Sequence, residues 1–228
     1  MWDINAEDIK YKSLRQRLVE QLRKKIQLEE KIPVDERVLT AIGKIPRQLF
    51  VAKGLGRLAY EDRPLPIAAN QTISQPYTVA MQTHLLEVKK FEKVLEVGTG
   101  CGYQAAVLVE LGAKVYSVER QKELHLQARE VLSYLQYRVI LLHGDGYAGL
   151  PRFAPFDKII VTCGAPTVPQ KLLEQLTVGG RMVIPVGTMG QTMQLIERLS
   201  ETDYRSTSHG DYNFVPMLKG TVTRESRT

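Results

Sequence analysis

Apolar residues recur along this chain with two different periods, and the change of period divides it. Over residues 7–30, Tyr11, Leu14, Leu18, Leu22 and Ile26 follow one another at steps of three and four, which sets them on one face of an amphipathic helix. Pro33 ends that helix, and Asp35 is placed to cap a second over 36–42, closed by Gly43. A third, short helix is expected to start at Pro46. Residues 60–74 carry two prolines and no helical period, so an ordered loop or short hairpin is predicted there. Ser74 stands as the N-cap of a further helix from Gln75 to about Val88, with Pro76 in its first turn.

From residue 93 onward the helical period alternates with short, continuously apolar runs. Those at 93–97, 115–119, 139–143, 159–162 and 182–186 read as strands, with helices at 104–111, 124–135 and 170–175 between them. Apolar strands separated by helices predict a mostly parallel sheet covered on both faces, the doubly wound α/β architecture. After Val186 the pattern changes to two strands, 193–198 and 212–217, joined by the polar stretch 200–211, which predicts an antiparallel pair closing the sheet. An N-terminal helical segment (1–60) packed on a domain spanning 61–228 forms one structural unit.

The candidate chemistry sits at successive strand ends. The first strand runs into Gly98-Thr99-Gly100-Cys101-Gly102, whose glycines permit a tight strand-to-helix turn where open α/β sheets bind ligands. Its GxGxG spacing puts Tyr103 where a dinucleotide fingerprint carries a third glycine, which argues against pyrophosphate. The next strand ends at Glu119, 21 residues beyond Gly98 and near the offset at which an acid grips ribose hydroxyls. The third ends at Asp145 and Gly146, an acceptor suited to an adenine amino group. Taken singly, Glu119 could be a solvated strand terminus and Asp145-Gly146 a simple turn. Together, the three groups describe one nucleoside site.

Charge and composition narrow the partner class. The net charge is +6, but it is diffuse: residues 1–31 hold eight Lys/Arg against six Asp/Glu, and no long basic run occurs. A solvated basic surface fits better than a nucleic-acid footprint. No apolar run nears the ~18 residues of a membrane helix, and the N-terminus lacks the design of a secretion signal. The two cysteines, Cys101 and Cys163, form no metal-binding pattern, so no metal and a cytoplasmic setting are expected.

Several segments carry a resemblance. Pro64-Leu65-Pro66-Ile67, Gln71-Thr72-Ile73-Ser74-Gln75-Pro76, residues 94–111, Gly144-Asp145-Gly146, Ala154-Pro155-Phe156-Asp157, residues 172–175 and Phe214-Val215-Pro216 resemble the protein-L-isoaspartate O-methyltransferase family, nearly end to end. The resemblance implies a methyltransferase fold with S-adenosyl-L-methionine as donor and S-adenosyl-L-homocysteine as product. It implies isoaspartyl (or D-aspartyl) residues of aged proteins as acceptors, and repair through an ester that collapses to a succinimide. By the same resemblance Ser74 falls on the active-site serine, with Thr72 and Ile73 beside it at the acceptor. Gly98, Thr99, Gly100 and Gly102 fall on the cofactor turn, Glu119 on the ribose acid, Asp145 and Gly146 on the adenine contact, and Val215 on a segment facing the acceptor peptide. Ala68-Ala69-Asn70 departs from the family's more glycine-rich approach to the serine.

Methyl transfer to a carboxylate needs no general base, because an exposed carboxyl titrates at ~4. None is evident: His84, His125, His143 and His209 form no spacing pattern, and no GxSxG elbow would make Ser74 a hydrolase nucleophile. Ser74 is expected to orient the acceptor carboxylate or to cap its helix, or both. A nicotinamide dehydrogenase and an RNA or small-molecule methyltransferase remain the alternatives, the latter sharing the same donor site. A monomer acting on isoaspartyl proteins, without nucleic acid or membrane, is the expected form.

Overall fold

The computed structural model describes residues 4–29, 33 and 35–223, with side chains from Tyr11 onward. Helix α1 (Ile4–Glu29) buries Tyr11, Leu18, Leu22 and Ile26 as its period requires. Asp35 caps α2 (Glu36–Lys44), accepting from the Arg37 N–H at 3.0 Å. Gly43 does not close α2, as expected from sequence, but lies within it. A Cβ there would meet Val19 Cγ2 at 3.3 Å, so this glycine lets α2 approach α1 closely. A 3₁₀ turn, Arg47–Phe50, follows Pro46 with all four residues buried.

Strands β1 (Leu65–Pro66) and β2 (Thr72–Ile73) make the expected hairpin, Leu65 pairing with Ile73. Ala69 and Asn70 in its turn both have φ of 54°, the left-handed region that a glycine would occupy without cost. Helix α3 (Pro76–Leu86) begins one residue later than predicted, and Gln75, not Ser74, is its N-cap. The reason is local. Pro76 holds the residue before it in extended backbone, Gln75 at φ −53°, ψ 136°, which leaves Ser74 outside the helix. The cap comes instead from Asp62, whose carboxylate accepts from the Tyr77 N–H at 2.8 Å, from Gln75 Nε2 at 3.1 Å and from Lys25 Nζ at 3.0 Å.

The main sheet is built from β3 (Lys93–Val97), β4 (Lys114–Glu119), β5 (Val139–His143), β6 (Phe156–Val161), β7 (Leu176–Val186), β8 (Gln191–Arg198) and β9 (Tyr204–Tyr212). Helices α4 (Tyr103–Glu110), α5 (Lys122–Tyr134) and α6 (Gln170–Leu173) lie between its parallel strands. The strand order is β5-β4-β3-β6-β7-β8-β9, parallel through β7 and antiparallel beyond. The chain reverses direction across the sheet between β3 and β6, so the crevice beside β3 is the topological switch point. One apolar core lies under α1–α4, where Leu18, Leu22 and Ile42 join Leu86 and Val107; a second, with Phe156 and Leu172, lies on the other face.

The last strand corrects the sequence expectation. Residues 213–217 are not part of a regular strand, and β9, ending at Tyr212, occupies most of the polar stretch read as a connector. As the outer edge of the sheet it is solvated on both faces, so no apolar alternation marks it. Phe214 to Met217 instead cross the carboxyl ends of the parallel strands, with Gly164 N–H donating to Val215 O at 2.8 Å and Met217 N–H to Gly164 O at 2.7 Å. Further on, Val222 bridges to the end of β4 through Arg120 O at 2.8 Å. No helix among the described residues is long and apolar enough to cross a membrane.

These contacts separate two roles assigned to one residue. Asp62→Ala should lower the unfolding free energy by about 1–2 kcal/mol, the cost of a lost cap, whereas Ser74→Ala should change it by less than about 0.5 kcal/mol in the same denaturant titration. Equal losses would return the capping role to Ser74.

Candidate functional site

Three strand ends meet at the switch point. Gly98 follows β3 at φ +95°, and a Cβ on it would lie 2.6 Å from Thr162 Oγ1, so only glycine brings the turn onto the end of β6. Thr162 Oγ1 donates to Gly98 O at 2.5 Å. Gly100 N–H then donates to Glu119 Oε2 at 2.9 Å, and Gln121 N–H donates to Oε1 at 2.8 Å. The carboxylate of Glu119 is only 5% exposed; burial raises its pKa, and the backbone donors of Gln121 and Gly100 hold it down in part. Each oxygen keeps a free lone pair.

The cavity between these groups holds about 870 Å³ of empty space including its mouth. Gly98, Thr99, Gly100, Glu119 and Gly146 line it, and so do Thr72, Ile73, Ser74 and Val215. Gly102 and Asp145 do not. Gly102 begins α4 at φ +91° with its face toward α5, where a Cβ would meet Leu132 Cδ1 at 2.9 Å, so it serves helix packing. Asp145 accepts from Tyr147 N–H and Gly220 N–H, both at 2.9 Å, and so ties the C-terminal segment to the rim.

Sequence reasoning missed other lining residues. Arg120, Gln121 and Leu124 follow Glu119, and Thr162 and Cys163 follow β6. The strand-end rule that selected Glu119 could have selected these as well, but their types announce no chemistry. Met217 lines the cavity through the crossing segment, whose path no local pattern reveals.

A second cleft opens beside the first. Lys25, Glu29, Tyr77, Asp211 and Phe214 are among the residues lining it. Thr72, Ser74, Thr162 and Val215 line both clefts, so they form the partition between an inner cavity and an outer groove. The Ser74 hydroxyl has no hydrogen-bond partner among the described residues, and its backbone carbonyl is held from behind by Arg47 Nη2 at 2.6 Å. No histidine lines either cleft. Burial pushes the Cys101 thiol up to about 11 and the Cys163 thiol up to about 12, so neither is a thiolate near neutral pH.

Beneath the turn lies a buried acid. Glu96, fully buried on β3, accepts from Ser117 Oγ, which sits 2.6 Å from Thr99 Oγ1. Its other oxygen has no hydrogen-bond partner among the described residues, and burial raises its pKa to about 8. The folded protein therefore keeps this proton where the unfolded chain releases it, and stability is lost as pH rises from the ordinary 4.5 toward about 8. Glu96→Gln should flatten the fall in melting temperature between pH 6 and 8 in calorimetric scans; wild-type and variant curves of equal slope would mean the carboxyl is ionised in the folded state.

The chain is similar to known proteins over most of its length. A family model described as protein-L-isoaspartate(D-aspartate) O-methyltransferase matches residues 13–222. The protein-L-isoaspartate O-methyltransferase of Christiangramia forsetii is 56% identical over 211 residues, 92% of this chain and 96% of that one. A solved protein-L-isoaspartate O-methyltransferase superposes with a TM-score of 0.78 at 28% identity, over 89% of this chain and 65% of that one. A solved Plasmodium falciparum protein, in complex with S-adenosyl-L-homocysteine, shares the fold at a TM-score of 0.77 and 21% identity, over 90% of this chain and 99% of that one.

Proposed function

The chain belongs to the protein-L-isoaspartate (D-aspartate) O-methyltransferase family, and we propose on that premise that Ser74 presents the acceptor carboxylate from the outer groove to a donor held over the glycine turn. The protein is an S-adenosyl-L-methionine-dependent carboxyl O-methyltransferase acting on L-isoaspartyl or D-aspartyl residues, the step that initiates their repair. One observation carries the residue assignment: Thr72, Ser74 and Val215 stand in the wall shared by the two clefts.

The inner cavity fits the donor. Glu119 offers free lone pairs to two ribose hydroxyls, while Val118, Leu124 and Met217 supply apolar walls for a base. Gly98, Thr99 and Gly100 leave room and backbone polar groups for the amino-acid end. Gly146 borders the base, and Asp145 acts there through the segment it anchors. Bound in this cavity, the donor supplies an electrophilic methyl group on a sulfonium.

The chain's own contribution is alignment and exclusion of water. Ser74 Oγ donates a hydrogen bond to one oxygen of the acceptor carboxylate and aims the other through the partition. Thr72, Ile73 and Val215 hold the peptide around it. No proton is removed, since the acceptor is already ionised, which agrees with two clefts free of histidine. We further infer that the enzyme works as a cytoplasmic monomer, with residues 1–60 packed onto the 61–228 domain and without nucleic acid or membrane. Its positive charge is diffuse, which supports the reading without nucleic acid.

Incubation with radiolabelled donor and paired peptides differing only in Asp or isoAsp should place base-labile label on the isoAsp peptide alone. Ser74→Ala should lower that rate at least tenfold, with donor affinity held within about twofold. Label on both peptides would sink the substrate assignment, and unchanged turnover would remove Ser74 from the site.

A further inference from the structure

The side chain of Arg47 is 1% exposed and meets no carboxylate among the described residues. Its Nε donates to Ala59 O at 2.9 Å and its Nη2 to Ser74 O at 2.6 Å, while Nη1 is buried with no partner. The guanidinium lies over the ring of Tyr103, 4.5 Å from its centroid, and Tyr103 lines the inner cavity. Burial lowers the Arg47 pKa, but a guanidinium keeps its proton near neutrality.

Among the described residues no carboxylate cancels the charge. Arg15, a second buried cation, reaches Tyr60 and Tyr103 as well, and the groups facing Arg47 that could turn anionic include Tyr60, Tyr103 and Cys101. Burial raises the pKa of each, Cys101 to about 11, so all three are neutral at physiological pH. Two backbone carbonyls could be held by a neutral amide, so hydrogen bonding alone does not explain a buried cation. Burying an unpaired charge is costly, and the cost is sensible where an anion arrives during function.

We propose that Arg47 is a specificity-determining residue: its unpaired charge, set one residue-width behind Ser74, selects acceptors that carry a free carboxylate over neutral ones of the same shape. This rests on the acceptor site proposed above. Opposite unit charges about 8 Å apart, at the effective permittivity of a protein interior, change a binding constant on the order of thirtyfold. Arg47 does not touch the acceptor; it acts across the Ser74 peptide unit.

The reaction removes charge. An anionic carboxylate and a cationic sulfonium become a neutral ester and a neutral thioether, so the carboxylate loses negative charge on the way to the transition state. A cation behind it therefore stabilises the bound acceptor more than the transition state. Its loss therefore raises KM and does not lower kcat. A purely structural role in holding Ser74 would lower kcat as well.

Three measurements test this. With S-adenosyl-L-homocysteine bound, the wild-type protein should bind an isoaspartyl peptide at least tenfold more tightly than the isosteric isoasparaginyl peptide, which is neutral. Arg47→Gln keeps donors for the two carbonyls but removes the charge; it should raise KM for the isoaspartyl peptide about tenfold or more and leave affinity for the neutral peptide within about twofold. Arg47→Lys keeps the charge and should restore most of KM. Equal wild-type affinity for the two peptides would overturn the proposal even if neither variant folds, as would an Arg47→Gln variant with unchanged KM. A wild-type protein that methylates no isoaspartyl peptide would instead defeat the function on which the proposal rests.

Discussion

The carboxylate of Glu119 fixes the geometry on which the site depends. It stands at the end of β4, nearly excluded from water, and a buried carboxylate must be satisfied. The Gly100 and Gln121 N–H groups satisfy it, one from the turn after β3 and one from the start of the next helix. Parallel pairing of Val97 with Val118, and of Val97 with Val161, then places the ends of three strands on one rim. Gly98 closes the triangle, because any side chain there would displace Thr162 from its bond to the Gly98 carbonyl. Relaxing the turn would strand a carboxylate, a threonine hydroxyl and two backbone donors together. The cavity is therefore set before any donor arrives.

The proposed acceptor side, around Ser74, is positioned by different means. No sheet runs beneath Ser74, only a two-stranded hairpin of two residues per strand. Single long-range contacts hold it instead: Arg47 grips its carbonyl, and Asp62 caps the helix that follows. Both anchors come from chain N-terminal to the sheet, as does Lys25, which binds Asp62. This explains why the helical segment shares a core with α3 and α4. It supplies the wall against which the hairpin is fixed.

That division also decides what could be read from sequence. The parallel strands were legible because strands buried on both faces must be continuously apolar, and Glu119 was legible as a cavity-lining acid because it ends such a strand. Strand β9 was hidden for the converse reason: an edge solvated on both faces carries no period. The cap was misassigned to Ser74 because cap preference was weighed without the restriction that Pro76 places on Gln75. Asp145 was located correctly at a strand end, yet its oxygens are engaged by backbone N–H groups, one of them at Gly220, which no short-range rule connects to it. No motif or spacing in the sequence singles out Arg47. Only packing shows that it is buried without a counter-ion.

The two halves meet in one electrostatic requirement. A site that joins an anion to a cation and releases two neutral products cannot gain rate by placing strong charge against the reacting atoms, since such charge would stabilise the reactants most. The partition agrees with this. On the proposed reading, what faces the acceptor there is hydroxyl and backbone, the thiols nearby are neutral, and the buried Arg47 cation is withdrawn behind Ser74. From that position it draws the carboxylate in and loses its hold once the ester has formed. Attraction of the acceptor and release of the product then follow from the same charge, because methylation itself removes the group that the charge recognises.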